Sequence, residues 1–244
     1  MRTMPGSLLA KIVAGCALLA VTAVCIFLAV RMDNGKLNNS SEAAPAPRAV
    51  VNGDVIGDSL VSGTPFGGTG DANWSHLVSQ QMRAQGIALD LTSRGEVGAG
   101  FVRRSPTGET FAEQVNRIHQ DSDVVIVLGS RNDDVALDSL GGAADSTLAA
   151  IHHAAPQAKV IVVGAIPGTV PTPEVTAINR TLHTSAGTHG ATYVDSSQWL
   201  KDPATVVQPG NNPTDLAHTE LARNLFPAIL AATGSHRAAT AALN

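Results

Sequence analysis

The chain has 244 residues, a formal net charge of −4 at pH 7 and only 3% aromatic residues. Charge is uneven: Arg2, Lys11, Arg31, Lys36 and Arg48 face only Asp33 and Glu42 in the first 48 residues, leaving 11 basic and 18 acidic residues, a balance of −7, in the remainder. An acidic body does not suit a phosphate backbone, and so few aromatics do not make a stacking platform for bases, so nucleic acid is excluded as a partner.

In chain order, the first feature is Ile12 to Val30, which carries no charge and is nearly all apolar. As a helix it spans roughly 28 Å, about the hydrocarbon thickness of a bilayer. Arg2 and Lys11 precede it, favouring an N-terminus that stays inside. Residues 1–30 are expected to be an uncleaved transmembrane anchor. A signal sequence is the alternative, but the nearest small-x-small site, Ala44-Pro45-Ala46, is followed by Pro47. Either way the body is expected outside the cytoplasm, as a single-pass membrane protein or a secreted one. Val13-Ala14-Gly15-Cys16 has the look of a lipobox, yet it opens the apolar run where a lipobox closes one. Cys16 and Cys25 both lie in this run, so the rest of the chain offers no thiol nucleophile and no cysteine metal ligand. Residues 31–48 are polar and rich in Pro, Ala, Ser and Asn, a flexible tether.

From residue 49 to 234, β-branched runs alternate with helical patterns. Val50-Val51 and Val55-Ile56 predict the first strand. Trp74, Leu77, Val78 and Met82 fall at helical spacing, with Gly86 as the stop. Ile87–Leu91 predicts a second strand, and Phe111, Val115 and Ile118 a short helix. Val124–Leu128 is wholly apolar, as a central parallel strand is. Helices over about 139–154 and 174–188 lead to strands at Val160–Val163 and Thr192–Val194, and a last helix runs from Asp215 to about Ala232. Residues 235–244 are read as a tail. The fold class is therefore α/β: a three-layer α/β/α sandwich on a five-stranded parallel sheet.

In such sheets, ligands meet the carboxyl ends of the strands. Three polar clusters fall there: Gly57-Asp58-Ser59-Leu60, Ser93 to Phe101 with its glycines, and Gly129-Ser130-Arg131-Asn132-Asp133. A serine in the first turn presents its hydroxyl at the sheet edge, though a turn or cap role is the plain alternative. With GDSL after the first strand and a GxND-like block after the third, the chain resembles the SGNH/GDSL hydrolases. The resemblance implies a flavodoxin-like SGNH fold, Ser59 as nucleophile, and an oxyanion hole from the Ser59 and Gly98 N–H groups and the Asn132 amide. Gly100 is the runner-up to Gly98. It also implies that no metal or other cofactor is needed.

The resemblance places an acid–base pair before the last helix, where two registers are open. Asp215-Leu216-Ala217-His218 fits the Asp-x-x-His string, making His218 the base and Asp215 its orienting partner. His152, His153, His183 and His189 read as surface residues, and His236 lies in the tail. Alternatively, Pro213-Thr214-Asp215-Leu216-Ala217-His218-Thr219-Glu220-Leu221-Ala222 matches, with a small residue, Ala217, at the glycine position, the P-T-D-x-G-H-x-x-L-A portion of the family's D-G-x-H-P-T-D-x-G-H-x-x-L-A run. The catalytic Asp and His are then replaced by Pro209 and Asn212, and Asp215 and His218 become first-turn helix residues under a Thr214 cap. Two functions follow. The first is a serine esterase, or an acyltransferase, acting on an acyl-ester small molecule, lipid or O-acylated glycan at the cell envelope. The second is a catalytically impaired module that binds an acyl, glycan or protein partner. Phe66, Phe101 and Trp199 are candidates for pocket walls, with core or loop packing as the alternative.

Overall fold

The computed structural model of the protein describes residues 50–208 and 211–241. The apolar run at 12–30, both cysteines, the tether at 31–48 and Pro209 lie outside the described residues. Among the described residues, no helix is long and apolar enough to cross a membrane.

Five parallel strands make the sheet: β1 (Val50–Ile56), β2 (Ala88–Ser93), β3 (Val124–Leu128), β4 (Lys159–Val163) and β5 (Thr192–Val194), in the order β2-β1-β3-β4-β5. All five residues of β3 are buried, as a strand covered on both faces requires. Val124, Ile126 and Leu128 face one layer and Val125 and Val127 the other, following the two-residue period of a strand. The first layer holds α2 (Trp74–Ala84) and α6 (Asp215–Ala241), packed through Trp74, Val78, Met82, Leu221, Leu225 and Ile229. The second holds α3 (Phe111–Val115), α4 (Leu137–Ala154) and α5 (Pro173–Thr188), packed through Phe111, Leu148, Ile151, Ile178 and Leu182. The remaining helix, α1 (Ser59–Ser62), is a single turn after β1. The three-layer α/β/α architecture is thus present.

Boundaries differ from expectation where tertiary pairing decides them. β2 runs on through Ser93 because its ladder with β1 pairs Ser93 with Val55. α6 continues past Ala232 to Ala241, through a segment rich in alanine, the strongest helix former. Not foreseen at all is a small antiparallel pair, β6 (Val206–Val207) with β7 (Asn212–Pro213), just before α6.

A buried carboxylate braces the sheet within β1. Asp54, fully buried, accepts from Arg94 Nε at 2.7 Å, from the His119 N–H at 2.8 Å and from Ser122 Oγ at 2.6 Å. These bonds tie β2's end and the loop before β3 to β1. Successive strands are added to one side of β1 and then, from β3, to the other, so the crevice at the carboxyl ends of β1 and β3 is where a ligand fits.

Candidate active site

Ser59 stands in that crevice because of how the turn after β1 is held. Gly57 donates its N–H to Gln114 Oε1 and accepts from Gln114 Nε2, both at 3.0 Å. A Cβ on Gly57 would lie 2.4 Å from Val61, so the chain can turn this tightly only with glycine there. Asp58 then caps α1, accepting the Leu60 N–H on Oδ1 at 3.0 Å. Ser59 follows as the first residue of the turn and is half-buried. Its N–H donates to no described residue, which leaves a backbone donor free beside the hydroxyl.

The Asp58 side chain reaches across to the loop after β3. Oδ2 accepts from Ser130 Oγ at 2.6 Å and from Asn132 Nδ2 at 3.4 Å. Burial raises the Asp58 pKa, and the bonds from Ser130 and Leu60 and the charge of Arg131 offset part of that rise. Asn132 also donates to the Ala99 carbonyl at 2.9 Å, which fixes its amide plane. The bond to Asp58 is the longer and weaker of the two.

Asp133 joins this loop to the glycine-rich one. Fully buried, it accepts the backbone N–H groups of Phe101, Val102 and Arg103 at 2.9, 2.9 and 3.0 Å. A Cβ on Gly100 would sit 2.4 Å from its Oδ1, and the Gly100 N–H is spent on the Arg103 carbonyl at 2.9 Å. Gly98 has φ +83°, a conformation open to glycine, and its N–H donates to no described residue. Between the two candidates, Gly98 has the free donor.

Asp215 and His218 sit differently. Asp215 is exposed, and its Oδ1 accepts the Gly68 N–H at 2.9 Å. His218 is completely buried on α6. Its Nδ1 accepts the Trp74 N–H at 3.3 Å, and its Nε2 is buried with no hydrogen-bond partner. A Cβ on Gly68 would lie 2.0 Å from that Nε2, so the glycine's backbone closes over the ring. Burial lowers the His218 pKa to about 4, with the nearby Asp215 charge opposing the shift. The ring is thus neutral and enclosed.

Two openings flank Arg131. A narrow cleft, about 40 Å³, is bordered by Asp58, Ser59, Arg131, Asn211 and Pro213 among others. Its titratable lining residues are Asp58 and Arg131; no histidine borders it among the described residues. A wider basin, about 590 Å³, is bordered by Gly98, Arg103, Arg104, Arg131 and Asn132. The structure therefore groups Gly98 with Asn132, places Ser59 in the adjoining cleft, and puts neither Asp215 nor His218 on either lining. Asn212 pairs with Val207 in the small ladder, while its neighbours Asn211 and Pro213 face the cleft. Phe66 is exposed, Phe101 is buried edge-on against Phe111, and Trp199 packs on the core. None of the three borders the cleft or the basin. Among the histidines read as surface residues, His152 and His189 are half-buried and stacked on each other. Among the described residues, no group of three or more His, Cys, Asp or Glu is placed to hold a metal ion.

The residues that sequence reasoning passed over are Asp58, Arg131, Asp133 and Gly95. Gly95 packs so closely that a Cβ would lie 2.9 Å from the Asp58 carbonyl. All four lay within the quoted blocks. The signal for them was position beside a named residue, which does not separate a brace from a catalytic group.

The chain matches the GDSL-like Lipase/Acylhydrolase family over residues 55–231. It is 32% identical over 187 residues to a GDSL lipase of Mycobacterium tuberculosis, covering 72% of this chain and 80% of that protein. In structure it is similar to TesA, with a TM-score of 0.60 at 15% identity over 74% of this chain and 99% of that one. It is also similar to a family two carbohydrate esterase from Cellvibrio japonicus, with a TM-score of 0.58 at 15% identity. That match covers 78% of this chain and 63% of the esterase. At such identities the structural likenesses bear on the fold alone.

Proposed function

The chain belongs to the GDSL-like lipase/acylhydrolase family, a family of ester hydrolases, and from that premise we propose that Ser59 attacks the carbonyl of an O-acyl ester at the cell envelope. The observation that carries this reading is the Ser59 turn itself. A half-buried serine, with its own N–H unspent, borders a cleft next to a fixed Asn amide. Attack by Oγ forms a tetrahedral intermediate whose negative oxygen is held by the Ser59 N–H, the Asn132 amide and the Gly98 N–H. Its collapse breaks the C–O bond to the leaving oxygen, which departs as the alcohol with the proton given up by Ser59 Oγ, and leaves the acyl group on Ser59, for transfer to water or another hydroxyl. Residues 12–30 tether the domain to the membrane, a placement supported by their length and apolarity.

The second reading, an impaired domain that holds acyl or glycan ligands with little turnover, is favoured by one observation. His218 is enclosed by Gly68 and Trp74 and does not border the cleft. Its pKa also lies too low for an efficient base near neutral pH. Asn211, which does border the cleft, is no base either. Such partial sites keep some catalysis from their oxyanion donors but far less than a full triad.

A fluorophosphonate probe on the full chain separates the readings. Labelling that disappears in Ser59→Ala supports the nucleophile; no labelling of the wild type refutes hydrolysis through Ser59. Hydrolysis of a short-chain nitrophenyl ester that survives His218→Gln excludes His218 as the base.

A further inference from the structure

We propose that the basin beside the Ser59 cleft seats an anionic group, a carboxylate or a phosphate, carried by the ester that Ser59 attacks; this rests on the hydrolytic reading of Ser59. Size gives the first argument. The cleft, at about 40 Å³, holds the reacting atoms or two or three waters, not a whole substrate. The neighbouring basin, at about 590 Å³, has room for the remainder, and Arg131 borders both.

Charge gives the second. Arg103, Arg104 and Arg131 border the basin, against Asp134 as its one acidic lining residue. Arg104 is already committed: it pairs with Glu113 Oε1 at 3.0 Å and donates to the Gly108 carbonyl. Arg103 and Arg131 have no ion pair and no side-chain hydrogen bond among the described residues. Arg103 is exposed and Arg131 half-buried within the field of Asp58, and both border the same basin. The guanidinium fork matches carboxylate and phosphate oxygens two at a time.

Pre-organisation gives the third. The buried Asp133 carboxylate accepts the backbone N–H of Arg103, and Asp133 itself lies in the 3-10 turn that begins with Arg131. Ser130 caps that turn by accepting the Asn132 N–H at 3.0 Å. One buried acid therefore fixes the roots of both arginines relative to each other and to the Asn132 amide. A wall braced in this way holds its groups in place before a ligand arrives.

The test compares 4-nitrophenyl hydrogen adipate with 4-nitrophenyl hexanoate, equal in acyl length and differing in the terminal carboxylate. Wild type is expected to favour the adipate in kcat/KM by roughly tenfold or more, mainly through KM, with the preference falling as salt rises. Arg103→Gln and Arg131→Gln each collapse the ratio toward one, and Arg103→Lys keeps part of it. Competition by inorganic phosphate against acetate identifies which anion the basin holds more tightly. Hydrolysis of hexanoate as good as that of adipate, with a ratio untouched by Arg103→Gln, overturns the basin while leaving Ser59 hydrolysis standing. If neither ester is turned over, calorimetric titration of monomethyl adipate into Ser59→Ala decides the basin alone. Binding lost in Arg103→Gln supports it, and no binding, or binding indifferent to that change, refutes it.

Discussion

The backbone N–H of Trp74 donates to Nδ1 of His218 across 144 residues of sequence. That bond fixes the ring with its other nitrogen against Gly68, in an enclosure without a partner. A histidine held this way makes stability depend on pH. Its pKa in the folded state is lowered to about 4 from 6.5, so the unfolded chain binds the extra proton first. The stabilisation from the neutral ring is complete above 6.5 and is lost as pH falls toward 4. Linkage sets its ceiling at about 3 kcal/mol. Asp58, whose pKa is raised by burial, acts in the opposite sense on acidification. Urea unfolding across this window is expected to show a loss of stability that His218→Gln flattens.

Gly68 is the lid of the same enclosure. Gly68→Ala adds a methyl at φ +74°, 2.0 Å from Nε2, and is expected to cost roughly 3 kcal/mol from backbone strain and overpacking. Made in a His218→Ala background it should cost less, because the ring it strikes is gone. A double-mutant cycle measures that coupling, expected at about 1–3 kcal/mol.

Asn132→Ala removes one proposed oxyanion donor. The expected result is a fall in kcat of about a hundred- to a thousand-fold on a short nitrophenyl ester, with KM little changed. An unchanged kcat removes Asn132 from the oxyanion hole.

Asp133→Asn keeps the size of the side chain but replaces one acceptor oxygen with a donor facing backbone N–H groups. With three such groups on its carboxylate, the variant is expected to lose roughly 2–3 kcal/mol. Amide hydrogen exchange at Phe101, Val102 and Arg103 should accelerate more than exchange in β4.

Asp54→Ala leaves Arg94, the His119 N–H and Ser122 Oγ without their common acceptor. Removing one partner of a buried pair costs about 3–5 kcal/mol. Denaturant midpoints should show this loss, and Asp54→Asn should recover only part of it.

The fold was legible because its strands are written plainly. Val124–Leu128, short, wholly apolar and rich in β-branched residues, reads as a strand buried on both faces, and the blocks following β1 and β3 fall where a parallel sheet collects its polar residues. The Ser59 turn and the Asn132 turn were legible for the same reason. The surroundings of His218 were not. The string Asp215 to His218 serves a catalytic loop and a helix start equally well. The ring's position depends on Gly68 and Trp74, which reach it only after α2 and α6 have packed. The arginine basin was hidden likewise: Arg103 and Arg131 lie in separate blocks, and their common brace is one carboxylate that sequence reads as a turn residue. The β6–β7 pair consists of two-residue strands, too short for any periodicity to register.

The packing of α2 against α6 also sets an order of events. During synthesis, Ser59 and the helix after it emerge early, yet the ring that Trp74 holds arrives only with α6. Until then the layer beneath the Ser59 turn lacks the apolar contacts of α6, and Met82, Val78 and Trp74 have nothing from Leu221 or Leu225 to cover them. Contacts this distant in sequence form slowly and leave apolar surface open meanwhile. Ser59 is among the first parts of the domain to be made, and the ground it stands on is among the last.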